Sequence, residues 1–144
     1  MFVVDSNILV YAADFDSPFN ARCRALVDDM RRRSGAWFLT WGIGYEFLRV
    51  VTHRRVLNAP WRSSDALRFL NALVESPAVS VLVPTERHAN VLSEVLELVP
   101  HISGSFWHDA TTAVLMREHG VSRIYTRDTG FHRFPFLEPI DPCA

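Results

Sequence analysis

Lysine is absent: all 15 basic residues are arginines. A GC-rich coding bias produces such a set, and forked guanidiniums also suit phosphate oxygens. The absence alone does not separate the two causes. It does exclude a receiver-type phosphotransfer site, which needs a lysine. Cysteine is scarce, with Cys23 and Cys143 alone. Two thiols give neither a metal-ligand spacing nor a disulfide framework. Cys23 is expected to be a small core residue and Cys143 to be exposed. Nothing argues for an oxidising compartment, so a reduced cytoplasm is the default expectation. No apolar run reaches the roughly 18 residues that a membrane span needs. The run Met1 to Val4 is too short, and lacks the basic flank, for a signal peptide. No repeat, linker or low-complexity segment is found. Formal net charge is −1, whereas nucleic-acid binders are more often basic. Any such role must rest on how the charges are distributed.

The chain has 144 residues, 49 % of them apolar. That suits one domain, 1–144, with a core of its own. Short β-like runs alternate with helical stretches, the pattern of an α/β fold with a parallel sheet. Phe2-Val3-Val4 reads as a first strand, ended by Asp5. A short helix begins at Ser6 or Asn7 and runs through Tyr11. Ser17-Pro18 reads as the start of a second helix. Cys23, Leu26, Val27 and Met30 share one of its faces. Arg31-Arg32-Arg33 close it favourably against the dipole, and Ser34-Gly35 end it. Trp37-Phe38-Leu39 is a second strand, and the next helix turns Ile43, Phe47, Val50 and Val51 inward. Asn58-Ala59-Pro60 is a loop. Ser63-Ser64-Asp65 cap a helix to about Ser76. Val79 to Val83 is a third strand. Pro84-Thr85-Glu86 start a helix with Leu92, Val95, Leu96 and Val99 inward. The loop Pro100 to Ser105 precedes a helix from about Phe106 to His119, closed by Gly120. Ile124-Tyr125-Thr126 is a fourth strand, and Leu137 to Ile140 a fifth.

There are 16 acids, and most face away from apolar stripes. Asp28, Asp29, Glu75, Glu94, Glu97 and Glu118 are expected to be solvated. Four differ. Asp5 and Asp128 follow the first and fourth strands, at the carboxyl ends where α/β sheets hold ligands. Asp109 lies one turn into its helix, and Glu46 borders the buried stripe of its own. Each has an ordinary alternative: Asp5 as a helix cap, Asp128 as a turn residue, Asp109 as first-turn charge, Glu46 as a surface residue. Together they converge on strand ends and adjacent helix faces. Clustered carboxylates raise one another's pKa unless a cation neutralises them. Oxygen ligands select hard cations such as Mg²⁺ or Mn²⁺. Such a site suits phosphodiester hydrolysis, in which a metal orients a water and shields developing charge. No Walker loop, zinc spacing or nucleophile elbow is found. An aspartyl-phosphate phosphatase usually has a second Asp two residues on, where this chain has Asn7.

Four blocks, in order and correctly spaced, carry a family resemblance: F-V-V-D-S-N-I-L-V-Y-A, T-W-G-I-G-Y-E-F-L-R-V-V-T-H, H-D-A-T-T-A-V-L-M-R-E-H-G-V and I-Y-T-R-D-T-G-F-H-R-F-P. Over nearly its whole length the chain resembles PIN-domain proteins, specifically VapC toxins of bacterial toxin–antitoxin modules. The resemblance implies a PIN-like three-layer α/β fold with a parallel sheet of four or five strands flanked by helices. It implies a metal site of Asp5, Glu46, Asp109 and Asp128, with Ser6 and Asn7 supporting Asp5. Thr126 would be a hydroxyl near the phosphate or water. The implied activity is Mg²⁺- or Mn²⁺-dependent cleavage of structured RNA, tRNA or rRNA. The implied partners are a VapB-like antitoxin, covering the acidic groove, and a second copy of the chain in a homodimer. A catalytically weak scaffold that binds protein is the competing reading. Relatives often carry a further acid where this chain has Gly130, which bears on whether one ion or two would bind.

Arg49, His53, Arg54 and Arg55 are a basic helix end or a phosphate-contacting patch. Trp41 and Trp61 are core residues, antitoxin contacts or stacking platforms for bases. His108 precedes Asp109, but successive helix residues point about 100° apart, so it is set aside. His132 and Arg133 are candidates for the groove mouth. Ser103-Gly104-Ser105 shape the loop before the Asp109 helix.

Overall fold

A computed structural model describes residues 1–33 and 35–144. Five strands form one parallel sheet: β1 (Phe2–Val4), β2 (Trp37–Thr40), β3 (Val79–Leu82), β4 (Arg123–Tyr125) and β5 (Glu138–Ile140). Their order is β3-β2-β1-β4-β5, and each neighbouring pair is parallel. Among the described residues six helices flank it: α1 (Ser6–Ala13), α2 (Asn20–Arg32), α3 (Trp41–Val51), α4 (Ser63–Val74), α5 (His88–Leu98) and α6 (Phe106–Glu118). The expected α/β fold is present, and Leu137 to Ile140 does supply the fifth strand. Among the described residues, no helix is long and apolar enough to cross a membrane.

Local chemistry explains the helix starts. The Thr40 hydroxyl accepts a hydrogen bond from Ile43 N at 3.1 Å and so begins α3 directly off β2. Pro139 sits in the edge strand β5, where a missing N–H costs no ladder bond. At Gly44 a Cβ would come within 3.1 Å of Leu70, so glycine lets α3 approach α4 closely.

The sheet centre is dry: Val3, Val4 and Ile124 are fully buried, and Leu39 is nearly so. Strand order runs from β1 outward in both directions, through β2 and β3 on one side and through β4 and β5 on the other. The β1/β4 junction is therefore the switch point, where a crevice opens at the carboxyl ends of the strands.

Several expectations need correction. Helix α2 begins at Asn20, not at Ser17-Pro18; the Ser17 hydroxyl accepts from Phe19 N at 3.1 Å and makes a turn instead. Ser34, expected with Gly35 to end that helix, lies outside the described residues. Helix α1 continues past Tyr11 to Ala13. Arg62 occupies the cap position of α4, with no side-chain cap from the serines. Helix α5 starts at His88, because Thr85 is bound to Glu118. Its inward face is Val91 and Val95, while Leu92 and Leu96 are exposed. Glu118 is buried rather than solvated. Cys143 is half-buried against Cys23 rather than exposed.

Candidate functional site

Asp5 is the first polar residue after the buried strand β1. One oxygen, Oδ1, accepts from Ser6 N at 2.7 Å and caps α1. The other, Oδ2, accepts from Asn7 Nδ2 at 2.9 Å and from Thr126 Oγ1 at 2.7 Å. Thr126 follows β4, the neighbour of β1, so parallel pairing sets the two residues side by side. Thr126 Oγ1 also accepts from Asp128 N at 2.9 Å and from Asn7 Nδ2 at 3.1 Å. One buried hydroxyl thus ties the acid after β1 to the acid after β4. Thr126 is 2 % exposed, so it positions Asp5 and Asp128 from beneath and does not face the groove.

Asp128 Oδ1 accepts from Gly130 N at 2.7 Å and opens a 3-10 turn, Thr129–Arg133. Asp109 projects from the first turn of α6. Gly130 lies between these two acids. A Cβ there would stand 3.0 Å from Asp128 Oδ1 and 3.2 Å from Asp109 Oδ2. Any side chain at 130 would need the carboxylates to give way.

Glu46 comes from α3. Both of its oxygens are held by Arg49 one turn on, Oε2 to Nε at 2.9 Å and Oε1 to Nη2 at 2.6 Å. The four acids line one cavity of about 560 Å³, together with Ser6, Asn7, Arg49, Ser105, Phe106, His108 and Gly130. A smaller cavity of about 240 Å³, bordered by Ala12, Phe15 and Trp61, contains none of these acids.

The charges answer to this crowding. Burial, then the negative charges of Asp128, Asp5 and Glu46, push the Asp109 carboxyl up to about 7. Burial raises Asp5, against the hydrogen bonds from Thr126 and Ser6. Glu46 goes the other way, lowered chiefly by its hydrogen bond from Arg49. Among the described lining residues, Arg49 is the one guanidinium, and it is spent on Glu46. Asp5, Asp109 and Asp128 have no cationic partner among the described residues.

An oxygen-only donor set with surplus negative charge fits a hard divalent cation. Among the described residues, no three acidic, histidine or cysteine side chains are already gathered tightly enough to enclose an ion. The fit is thus one of donor chemistry and charge, with Glu46 still engaged by Arg49.

The structure brings Asp5, Glu46, Asp109 and Asp128 together as expected. His108, which helical offset alone turns away from Asp109, borders the cavity alongside it. Ser105, expected only to shape the loop before α6, and Phe106, expected only as the start of that helix, border it too. His53, Arg54 and Arg55 are not among the lining residues. His132 borders a small cavity of about 110 Å³ that shares Asp128 with the four-acid cavity. Arg133 lies over the Phe106 ring at 3.9 Å and donates to His101 O at 3.1 Å. Trp61 packs against Phe47 and Phe69. Trp41 is 47 % exposed.

The PIN domain family model matches residues 2–137. Ribonuclease VapC48 of Mycobacterium tuberculosis is 30 % identical over 140 residues, 97 % of this chain and 96 % of that protein. Among solved structures, the chain is similar to Mycobacterium tuberculosis VapC20, described as a sarcin-ricin loop cleaving toxin. The TM-score is 0.64 at 20 % identity, over 92 % of this chain and 93 % of that one. It is also similar to VapBC2 of Rickettsia felis bound to a promoter DNA fragment. Here the TM-score is 0.66 at 14 % identity, over 96 % of each chain.

Proposed function

This chain belongs to the PIN-domain family, and on that premise we propose that it is a metal-dependent endoribonuclease, the toxin of a toxin–antitoxin pair. The observation that carries the reading is the meeting of four carboxylates in one cavity at the β1/β4 switch point. The relationship to VapC48, named a ribonuclease, supplies the substrate class. Structured RNA, tRNA or rRNA, is the target in this reading.

Asp5, Asp109 and Asp128 would hold Mg²⁺ or Mn²⁺, with Glu46 joining once it leaves Arg49. A cation held there supplies Lewis-acid polarisation of a phosphoryl oxygen and a more acidic water. The chain's own residues do the rest. Thr126 and Asn7 fix the Asp5 carboxylate, and Thr126 also fixes the backbone of Asp128. The charge on three acids without cationic partners repels a phosphodiester, so a cation that neutralises it favours the approach of RNA. That repulsion is the physical argument for metal dependence. Arg49, at the cavity wall, suits a substrate phosphate.

A VapB-like antitoxin is the partner. Similarity to VapBC2 supports it, as does the acidic groove, which a basic segment would cover. The exposed Trp41 and Tyr45 on α3 offer apolar area to the antitoxin or to a second copy of the chain. The cytoplasm, where RNA and antitoxin meet, is the place of action in this reading.

The test is cleavage of total tRNA and rRNA by antitoxin-free protein, with Mg²⁺ or Mn²⁺ and with EDTA, comparing wild type with Asp5→Asn. Cleavage that needs the metal and vanishes in the variant is expected. A folded wild type that neither cleaves nor binds metal would replace this reading with a protein-binding scaffold.

A further inference from the structure

Cys23 and Cys143 are separated by 120 positions in sequence, yet their sulfurs lie 3.6 Å apart. Cys23 is fully buried on α2, and Cys143 is half-buried on the segment after β5. Other contacts hold that segment in place. The Arg22 guanidinium donates to the Pro142 carbonyl. Asp141 accepts from Arg127 Nε at 3.2 Å and from Cys143 N at 2.8 Å. Arg127 lies between Thr126 and Asp128, donates its N–H to Asn7 Oδ1 at 3.2 Å, and stacks 3.8 Å from the Phe19 ring centre. The two thiols therefore meet on an anchored surface next to the loop that carries Asp128.

We propose that Cys23 and Cys143 form a disulfide when a small-molecule disulfide, such as oxidised glutathione, is the oxidant, and that the bond clamps segment 141–144 onto α2. The sulfurs need to close from contact distance to about 2.05 Å, which side-chain rotation can supply. Burial, followed by the adjacent Cys143 thiol, pushes Cys23 up to about 12. Cys143 is accordingly the first nucleophile. Its thiolate attacks the glutathione disulfide, forming a mixed disulfide and expelling one glutathione thiolate. The Cys23 thiolate then attacks the Cys143 sulfur, expelling the second. The two protein thiols lose two electrons and two protons, and these appear as two molecules of reduced glutathione. A reducing thiol pool reverses the exchange.

The test treats the folded full chain with oxidised glutathione, blocks remaining thiols under denaturing conditions and weighs the intact protein. Both thiols should be lost without added glutathione mass, and digestion should yield one peptide pair joined through Cys23 and Cys143. Closing so long a loop should raise the melting temperature by roughly 5–15 °C, reversibly with dithiothreitol. Cys143→Ser, altered only on the half-buried segment, should show no cross-link and no rise. Wild-type thiols that stay free, that only carry glutathione, or that link two chains would overturn the proposal. A cross-link without the thermal shift would overturn the clamp.

Discussion

Asp109 has no cationic partner among the described residues, and its carboxyl is pushed up to about 7 by burial and by three neighbouring acids. A raised folded-state pKa means that the folded chain binds a proton which the unfolded chain releases. The associated stability is complete below about pH 4 and is lost as pH rises through about 7. Without metal, Asp109→Asn should therefore stabilise the protein by about 1–3 kcal/mol at pH 8 and by almost nothing at pH 4. Chemical denaturation of both proteins in EDTA at the two pH values measures this. Equal stabilities at pH 8 would mean that the acids are not in electrostatic contact.

Thr126 makes a different demand. Thr126→Val keeps the shape but removes the donor to Asp5 and the acceptor for Asp128 N. It should cost about 1–3 kcal/mol of stability and roughly 10–100-fold in Mn²⁺ affinity, as misplaced supporting groups do. Thr126→Ser should recover most of both. Calorimetric titration with Mn²⁺ decides whether the hydroxyl positions the acids or only fills space. That Asp5 and Asp128 follow strands and that Glu46 and Asp109 sit on neighbouring helices is legible in the sequence, because strand ends and helix offsets are local properties. The sequence could not place the Thr126 hydroxyl under two acids or His108 on the cavity wall. Both depend on how β4 and α6 are seated against β1.

Among the elements, α5 and α6 are joined by a buried polar knot. The Glu118 side chain is fully buried and accepts from Thr85 N at 2.6 Å, from the Thr85 hydroxyl and from His88 Nδ1 at 2.6 Å. Burial raises its pKa, but these donors outweigh burial and hold the carboxyl down at about 2. A lowered pKa gives stability that is present above about pH 4.5 and is lost as pH falls towards 2. Glu118→Ala should cost about 2–4 kcal/mol at pH 7, with the gap to wild type narrowing below pH 4. Urea titrations at pH 7 and pH 3 measure it. Helical periodicity places Glu118 among solvated acids because its partners, Thr85 before α5 and His88 at its start, lie about 30 residues away in sequence. It misassigned Leu92 and Leu96 because apolar content alone does not choose between two adjacent faces. The strands were more legible, since all-apolar runs of three or four residues between turn signals suit a buried parallel sheet.

For the molecule as a whole, net charge of −1 conceals a local surplus of negative charge at one pole of the sheet. A cation that relieves it stabilises the fold by mass action. At a hundred times its Kd, Mn²⁺ should add about 2.7 kcal/mol, or roughly 5–10 °C in melting temperature, at pH 8. The gain should shrink at pH 5, where Asp109 carries a proton, and should vanish in Asp5→Asn. Differential scanning fluorimetry with and without EDTA would register it, and an unchanged wild-type melting temperature would remove the cation from the site.

Strand β1 is made before the β4 it pairs with and sits in the middle of the sheet, and the residues Asp109, Thr126 and Asp128 are made far later than Asp5. A nascent chain still on the ribosome holds Asp5 and Glu46 with nothing to complete them. The groove closes only after β4 has emerged and slipped in beside β1. For a chain read as a ribonuclease, this order of synthesis ties completion of the four-acid groove to completion of the sheet.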